Sequence, residues 1–143
     1  MKVQELIDKK GTTVHAIQVT TTVGEAARVL LEKEVGSLLV CEGDKVSGIF
    51  TKNDLLRRYL ASPSDFASKP LQNRPARPLF STTLDADLSD VFNVMVERGI
   101  RHVPVLDGGK AVGMVTPIDI LLYLKEAVQH DNEQLIRYIQ GSY

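Results

Sequence analysis

The chain repeats itself at one constant offset, and this repeat constrains its fold more than any other feature. The segments Gly48–Asp54 and Gly113–Asp119 share the pattern Gly-x-x-Thr-x-x-Asp. The offset that carries Gly48 onto Gly113, held without gaps, pairs further identical residues. They are Val29 and Val94, Glu32 and Glu97, Val40 and Val105, Gly43 and Gly108, Lys45 and Lys110, and Leu56 and Leu121. Such self-similarity is typical of a duplicated structural unit.

Each copy starts with a helix-start signal that is followed by an amphipathic stripe. Thr22-Val23-Gly24-Glu25 has the residues of a capping box, and Asp87 is a capping residue at the equivalent position of the second copy. Apolar residues then recur at the spacing of one helical face. They are Val23, Ala26, Ala27, Leu30 and Leu31 in the first copy, and Leu88, Val91, Phe92, Met95 and Val96 in the second. The pattern predicts two equivalent helices, each with one buried face.

Two apolar runs around a glycine-containing turn follow each helix and predict a β-hairpin. Thr51 and Thr116 then cap a second helix, where Pro117 suits the first helical position because its missing N–H costs nothing there. The unit is therefore helix, strand, turn, strand, helix. A unit of about 60 residues buries little apolar surface alone. We expect an α/β fold of the α+β type, with two units packed through their small sheets in pseudo-two-fold symmetry.

Prolines and small polar residues separate the two copies. Pro63 and Pro70 lie in this stretch and Pro75 and Pro78 follow, a composition typical of a linker. We therefore place repeat one at residues 1–62, a linker at 63–70 and repeat two at 71–125, with both repeats forming one module. Residues 126–143 carry spaced apolar side chains, and we predict a C-terminal helix or tail there.

The composition is that of a folded protein without a strong electrostatic field. Apolar residues make up 43% and charged residues 24%, and the net charge is -1 with both signs interspersed, so no sequence-wide basic surface attracts nucleic acid. Cys41 is the only cysteine, which excludes an internal disulfide and a zinc site with two cysteines of one chain. The chain shows neither a signal-peptide pattern nor an apolar run of roughly 20 residues. We expect a cytoplasmic protein without a membrane or nucleic-acid partner.

The two halves resemble the tandem CBS-domain pair, also called a Bateman module. The likeness covers about residues 6–124 and is carried by Gly99–Gly108, which reads Gly-Ile-Arg-His-Val-Pro-Val-Leu-Asp-Gly, and by the two Gly-x-x-Thr-x-x-Asp segments. The resemblance implies a homodimer with clefts between the repeats that bind an adenosine-containing ligand. The implied ligand is AMP, ADP, ATP or S-adenosylmethionine, and no cofactor is required. NAD and cyclic dinucleotides stay open as alternatives.

By the resemblance, Asp54 and Asp119 bind ribose hydroxyls, and Thr51 and Thr116 lie near the ribose and phosphates. The chemistry is sensible in itself, because a diol offers two donors to one carboxylate. A helix that starts at either threonine also presents free N–H groups and a positive dipole end to phosphate oxygens. Thr-x-x-Asp is equally an ordinary helix N-terminus, so a purely structural capping role is the alternative.

Four further candidates lie around these segments. Gly48 and Gly113 lack a Cβ atom, so a ligand can approach the backbone closely there. Lys52 and Asn53 lie in the first turn of the helix in repeat one, where they offer polar contacts that their counterparts Pro117 and Ile118 cannot match. Lys52 is alternatively a solvated surface residue.

The basic residues are unequally divided between the repeats. Arg101 and His102 precede a strand of repeat two, whereas the equivalent residues of repeat one carry no charge. In the family a cleft can combine the carboxylate of one repeat with basic residues of the other. We therefore expect Arg101 and His102 to serve the cleft of Asp54 and to leave the Asp119 cleft without a matching cation. The two sites should be unequal, with the Asp54 site tighter for phosphorylated ligands; the alternative is a solvated pair at a strand edge.

Three other functions compete with ligand sensing. An enzyme is disfavoured because the histidines lack metal-ligand spacing and no Gly-x-Ser-x-Gly or phosphate-loop motif is present. RNA binding is disfavoured by the balanced charge and by only four tyrosines, four phenylalanines and no tryptophan. A dimerisation scaffold with vestigial clefts is the serious alternative. We expect a sensor that signals to an unknown effector protein in trans, through a ligand-dependent change of shape.

Overall fold

The computed structural model describes residues 1–72 and 79–141 and confirms the α+β type of α/β fold with two tandem repeats. Pro75 and Pro78, on which part of the linker prediction rests, lie outside the described residues. The elements are, in chain order, α1 (Val3–Lys10), β1 (Ala16–Gln18), α2 (Val23–Lys33), β2 (Ser37–Glu42), β3 (Lys45–Thr51), α3 (Lys52–Ala61), a short 3₁₀ helix (Phe66–Ser68), α4 (Leu88–Arg98), β4 (Val103–Asp107), β5 (Lys110–Val115) and α5 (Pro117–Gly141).

The two halves keep the offset of the sequence repeat in their backbone. This offset relates three pairs of elements: the helices α2 and α4, the hairpins β2–β3 and β4–β5, and the starts of α3 and α5. Both hairpins also have an irregular register at equivalent places, between Val40 and Cys41 and between Val105 and Leu106. In repeat one β1 adds a parallel strand to β2, and in repeat two a single parallel bridge from Thr82 to Val105 takes its place.

The helix caps form largely as the sequence indicates. Thr22 Oγ1 accepts a hydrogen bond from the backbone N–H of Glu25 at 3.2 Å, and Asp87 Oδ1 accepts one from the N–H of Ser89 at 3.2 Å. The buried faces of α2 and α4 are narrower than expected. Val23, Ala26, Leu30, Leu88, Val91 and Met95 are buried, but Leu31 and Val96 are 77% and 65% exposed. These two residues lie at the outer edge of each stripe, where no described element covers them.

The core of each repeat includes a segment that belongs to the other repeat in the sequence. Helix α1 packs into the core of repeat two, where the N–H of Val3 donates to the carbonyl of Ala86 at 3.0 Å. Reciprocally, the N–H of Leu71 donates to the carbonyl of Thr21 at 2.8 Å, and Leu71 is buried in the core of repeat one. Thr21 and Ala86 are themselves related by the repeat offset. We call residues 1–10 and 69–72 the closing segments. The boundaries of the repeats, at residues 62 and 71, remain a prediction. Each closing segment packs on the repeat from the other side of these boundaries.

Two apolar cores lie between the helices and the sheets. The core of repeat one contains Val23, Ala26, Leu30, Leu38, Val40, Phe50 and Leu71. The core of repeat two contains Val3, Leu6, Ile7, Leu88, Val91, Met95, Val103, Val105, Val115 and Ile120. Leu39 and its counterpart Pro104 alternate with these core residues and are also fully buried. Each sheet is thus covered on both faces, and β3 contacts β5 between the repeats.

The C-terminal part of the chain continues α5 without a break at residue 125. The helix runs from Pro117 to Gly141, because neither glycine nor proline interrupts the sequence in between. Beyond residue 126 the apolar side chains of Val128, Leu135 and Ile139 are 48–59% exposed. No helix in the described part of the chain is long and apolar enough to cross a membrane.

Candidate functional site

Asp54 lies at the start of α3, directly after β3 ends at Thr51. Its Oδ2 accepts hydrogen bonds from the Thr51 backbone N–H at 2.9 Å and from Thr51 Oγ1 at 3.0 Å. The Asp54 backbone N–H returns a bond to Thr51 Oγ1 at 3.2 Å, which completes a capping box. The other oxygen, Oδ1, accepts a bond from Arg57 at 3.0 Å. The Arg57 side chain is 66% exposed.

Asp119 has the same arrangement at the start of α5. Its Oδ2 accepts from the Thr116 N–H at 2.9 Å and from Thr116 Oγ1 at 2.8 Å. The same oxygen also accepts from Lys10 Nζ at 2.6 Å, and Lys10 donates to the carbonyl of Met114 at 2.6 Å. The expectation that this site has no matching cation is therefore wrong, because α1 of the other half brings one. The sequence gives no sign of Lys10 at this site, because residues 1–62 form repeat one in the sequence whereas α1 packs on repeat two.

Both carboxylates are thus turned back onto the threonine that starts their helix. This is the geometry that the capping alternative predicts, and the structure shows that capping is one role of these side chains. Only Oδ2 serves the cap in each case. Because a carboxylate oxygen has two lone pairs, Oδ1 keeps accepting capacity. The Asp54 side chain is 34% exposed and that of Asp119 is 15% exposed, so the first is the more accessible.

His102 lies between the two repeats. A Cβ atom placed on Gly36 would be 3.6 Å from His102 Nε2, so the imidazole of repeat two rests against the backbone of repeat one. The carbonyl of Gly36 in turn accepts the N–H of Lys52 at 3.1 Å, at the start of α3. His102 thereby approaches the segment that carries Asp54, and Lys10 and Asp119 also act on it electrostatically.

Burial lowers the pKa of His102 below its usual value near 6.5, and the positive charges of Lys10 and Arg101 lower it further. Asp119 opposes them and raises this pKa. The folded protein therefore binds the His102 proton less readily than the unfolded chain does. The contribution of neutral His102 to stability is fully present above about pH 6.5 and is lost as the pH falls towards the folded pKa.

We therefore expect the stability of the wild-type protein to fall more steeply between pH 7.5 and 5.5 than that of His102→Gln. Urea unfolding at several pH values measures this difference, because it gives the free energy of unfolding directly. The variant keeps His15 and His130, so the difference between the two profiles belongs to His102. Parallel pH profiles for the two proteins would contradict the assignment.

The remaining predicted site residues have mixed surroundings. Lys52, Asn53 and Arg101 are exposed. Gly113 is buried, and a Cβ atom there would be 2.6 Å from Cδ1 of Ile7. The space that we expected for a ligand is filled by α1 at this position. Gly48 pairs with the core residue Val40 across the hairpin and is also buried, so it faces the core of repeat one.

The described residues form no obvious metal centre. Within 1–72 and 79–141, no group of three or more histidine, cysteine, aspartate or glutamate side chains comes together. Burial raises the pKa of the Cys41 thiol, which favours the neutral form over the thiolate that binds metals.

Two sheet-and-helix units, each with a Thr-x-x-Asp helix start, define a tandem-repeat module. The CBS domain family matches the chain twice, over residues 5–61 and 72–126, and the chain belongs to this family. CBS-domain proteins are generally regulatory and not catalytic.

Individual relatives agree with this assignment. An uncharacterised 17.7 kDa protein of Acidianus ambivalens is 31% identical over 111 residues, which are 76% of this chain and 66% of that protein. The CBS-domain protein ATU1752 of Agrobacterium tumefaciens has a crystal structure with a TM-score of 0.79 at 23% identity, over 86% of this chain and 98% of that one. The CBS pair of protein MJ0100, solved with 5'-methylthioadenosine and S-adenosylmethionine, has a TM-score of 0.74 at 22% identity over 89% and 98% of the two chains. These two likenesses show the shared fold.

Proposed function

We propose that this chain is a sensor module that binds an adenosine-containing ligand between its repeats and signals to a partner protein in trans. The observation that carries the proposal is the second oxygen of each helix-start carboxylate, which the cap does not use. A ribose offers two adjacent hydroxyl donors, and a carboxylate with spare lone pairs accepts both. Asp54, the more exposed of the two, is the principal ribose ligand.

The surroundings of Asp54 suit the phosphate end of a nucleotide. The start of α3 offers the positive end of its dipole to an anion. His102 of repeat two lies against Gly36, whose carbonyl accepts the N–H of Lys52 at this helix start, and Arg101 adjoins His102 in the chain. Lys52 and Asn53 lie in the first turn of α3. The ligand class is AMP, ADP, ATP or S-adenosylmethionine. The complex of protein MJ0100 with two adenosyl compounds supports this class for a CBS pair.

The test is the melting temperature of the purified protein with AMP, ADP, ATP, S-adenosylmethionine and adenosine. A ligand that binds only the folded state stabilises it by about 2.7 kcal/mol at a hundred times its Kd. We expect at least one adenosyl compound to raise the melting temperature by several degrees, and guanosine to leave it unchanged. No shift with any of the compounds would contradict the proposal.

A dimerisation scaffold with vestigial clefts is the second candidate. The capping role of both carboxylates favours it, as do the exposed apolar residues of α3 and α5, among them Leu56, Leu60 and Leu121. Both functions fit a homodimer, which we propose to form through these helices. The melting experiment separates them, because a scaffold responds to protein concentration and not to nucleotides. Cytoplasmic location, absence of catalysis and an unidentified effector complete the proposal.

A further inference from the structure

The imidazole ring of His102 lies at the junction of the two repeats. A Cβ atom on Gly36 would be 3.6 Å from Nε2 and 3.9 Å from Cε1 of this ring, so the ring rests against the backbone of repeat one. The carbonyl of Gly36 accepts the N–H of Lys52 at 3.1 Å, at the start of α3. His102 thus contacts a residue that is hydrogen-bonded to the helix start of the Asp54 site.

Three charged groups from different parts of the fold act on the His102 ring. Lys10 belongs to α1, Asp119 belongs to α5, and Arg101 directly precedes His102 in the chain. Lys10 Nζ and Asp119 Oδ2 are 2.6 Å apart, so these two charges largely neutralise each other. Among the described residues the charge of Arg101 is not balanced in this way. Since Gly36 adds no charge, the surroundings of the ring are net positive.

These surroundings keep the imidazole neutral. Burial lowers the pKa of His102, the charges of Lys10 and Arg101 lower it further, and Asp119 raises it. Within the described part of the chain, no hydrogen bond contributes to this balance. A phosphate group beside the ring would reverse the preference, because an anion favours the imidazolium form, whose two nitrogens both donate hydrogen bonds.

We propose that His102 takes up a proton when a phosphate-bearing ligand binds between the repeats. The proton comes from the solvent and adds to the unprotonated nitrogen of the neutral ring. This inference rests on the proposed function and names a regulation of the Asp54 site, the proton concentration. His102 thereby distinguishes nucleotides that carry phosphate from uncharged adenosine.

The direction of the pH dependence follows from linkage. The free protein holds His102 neutral at pH 7, and the complex holds it charged, so binding takes up a proton and the affinity rises as the pH falls. The rise ends below the pKa of His102 in the free protein, because the ring is then charged in both states. Adenosine brings no anion to the ring and should show no such rise.

The test is calorimetric titration of wild type, His102→Gln and His130→Gln with AMP, between about pH 8 and about pH 6. Glutamine keeps a polar side chain that cannot be charged. His130 is exposed on α5, so His130→Gln is the matched control that loses an imidazole elsewhere. We expect the AMP affinity of wild type, relative to that of His102→Gln, to rise roughly tenfold over this range, the effect of one opposite charge on a titrating group. This ratio cancels the titration of the phosphate itself near about pH 6.

A second measurement counts the proton directly. The heat of AMP binding to wild type at pH 7 should differ between two buffers of different ionisation enthalpy, in the direction of proton uptake. The difference should be smaller for His102→Gln and absent for adenosine. His130→Gln should behave as wild type does in both measurements.

A ratio of wild-type to His102→Gln affinity that stays constant between these pH values overturns the inference. AMP would then still bind, so the proposed function would stand. An equal rise in His102→Gln and wild type has the same meaning. If no adenosyl compound binds any of the three proteins at any of these pH values, the proposed function itself fails.

Discussion

Replacement of Leu71 by alanine should lower the free energy of unfolding by about 2–5 kcal/mol, the usual cost of removing a buried leucine side chain. Leu71 is 2% exposed and lies in the core of repeat one, beside α2 and the sheet. Its backbone is held as well, since its N–H bonds to Thr21 and its carbonyl accepts from Arg58. The site therefore has little freedom to collapse around the missing atoms.

Urea unfolding followed by circular dichroism measures this change, at one fixed protein concentration because a dimer makes stability depend on concentration. Leu71→Met is the matched control, since it keeps a flexible apolar side chain of similar volume and should cost less than about 1.5 kcal/mol. A loss below about 1 kcal/mol for Leu71→Ala would show that this closing segment is not part of the core in solution.

Replacement of Asp54 by alanine should weaken AMP binding at the tighter site by at least about a hundredfold. A hydrogen bond to a charged group contributes about 1.5–3 kcal/mol, and each tenfold in affinity corresponds to about 1.4 kcal/mol. The loss of both ribose hydroxyl contacts therefore exceeds two decades. The variant also loses its capping box, which costs about 0.5–2 kcal/mol of stability.

Asp119→Ala separates the two effects, because Asp119 has the same capping bonds to Thr116 that Asp54 has to Thr51. Both variants should lose the stability of their cap, but only Asp54→Ala should lose the tighter site in a calorimetric titration with AMP. Comparable losses of AMP affinity in the two variants, or none in Asp54→Ala, would show that Asp54 is a cap and not a ribose ligand.

The repeated elements could be predicted because their signals are local. The caps at Thr22 and Thr51, the hairpin turns and the apolar periodicity each lie within a few residues and recur at one offset. The closing segments could not be found in this way. Val3 and Leu71 have equivalent bonding partners, but their separation differs from the repeat offset, so an alignment of the two halves does not pair them.

The same distinction applies to the site. The Thr-x-x-Asp caps are short-range, and the sequence identified both of them together with their alternative role. The contact of Lys10 with Asp119 joins residues 109 positions apart, and it exists only because α1 packs on the second half. The prediction of ligand space at Gly113 fails for the same reason, because the side chain that fills this space is Ile7 of α1.

The crossing of the closing segments limits how this protein can be divided or recombined. A fragment that ends at residue 62 lacks Leu71, and one that begins at residue 71 lacks all of α1. Each would leave a hollow in its core and an unpaired carbonyl at Thr21 or Ala86. A hybrid protein that takes one half from a relative must therefore also take the closing segment that packs on that half. The residues that form one folded half are thus not contiguous in the sequence.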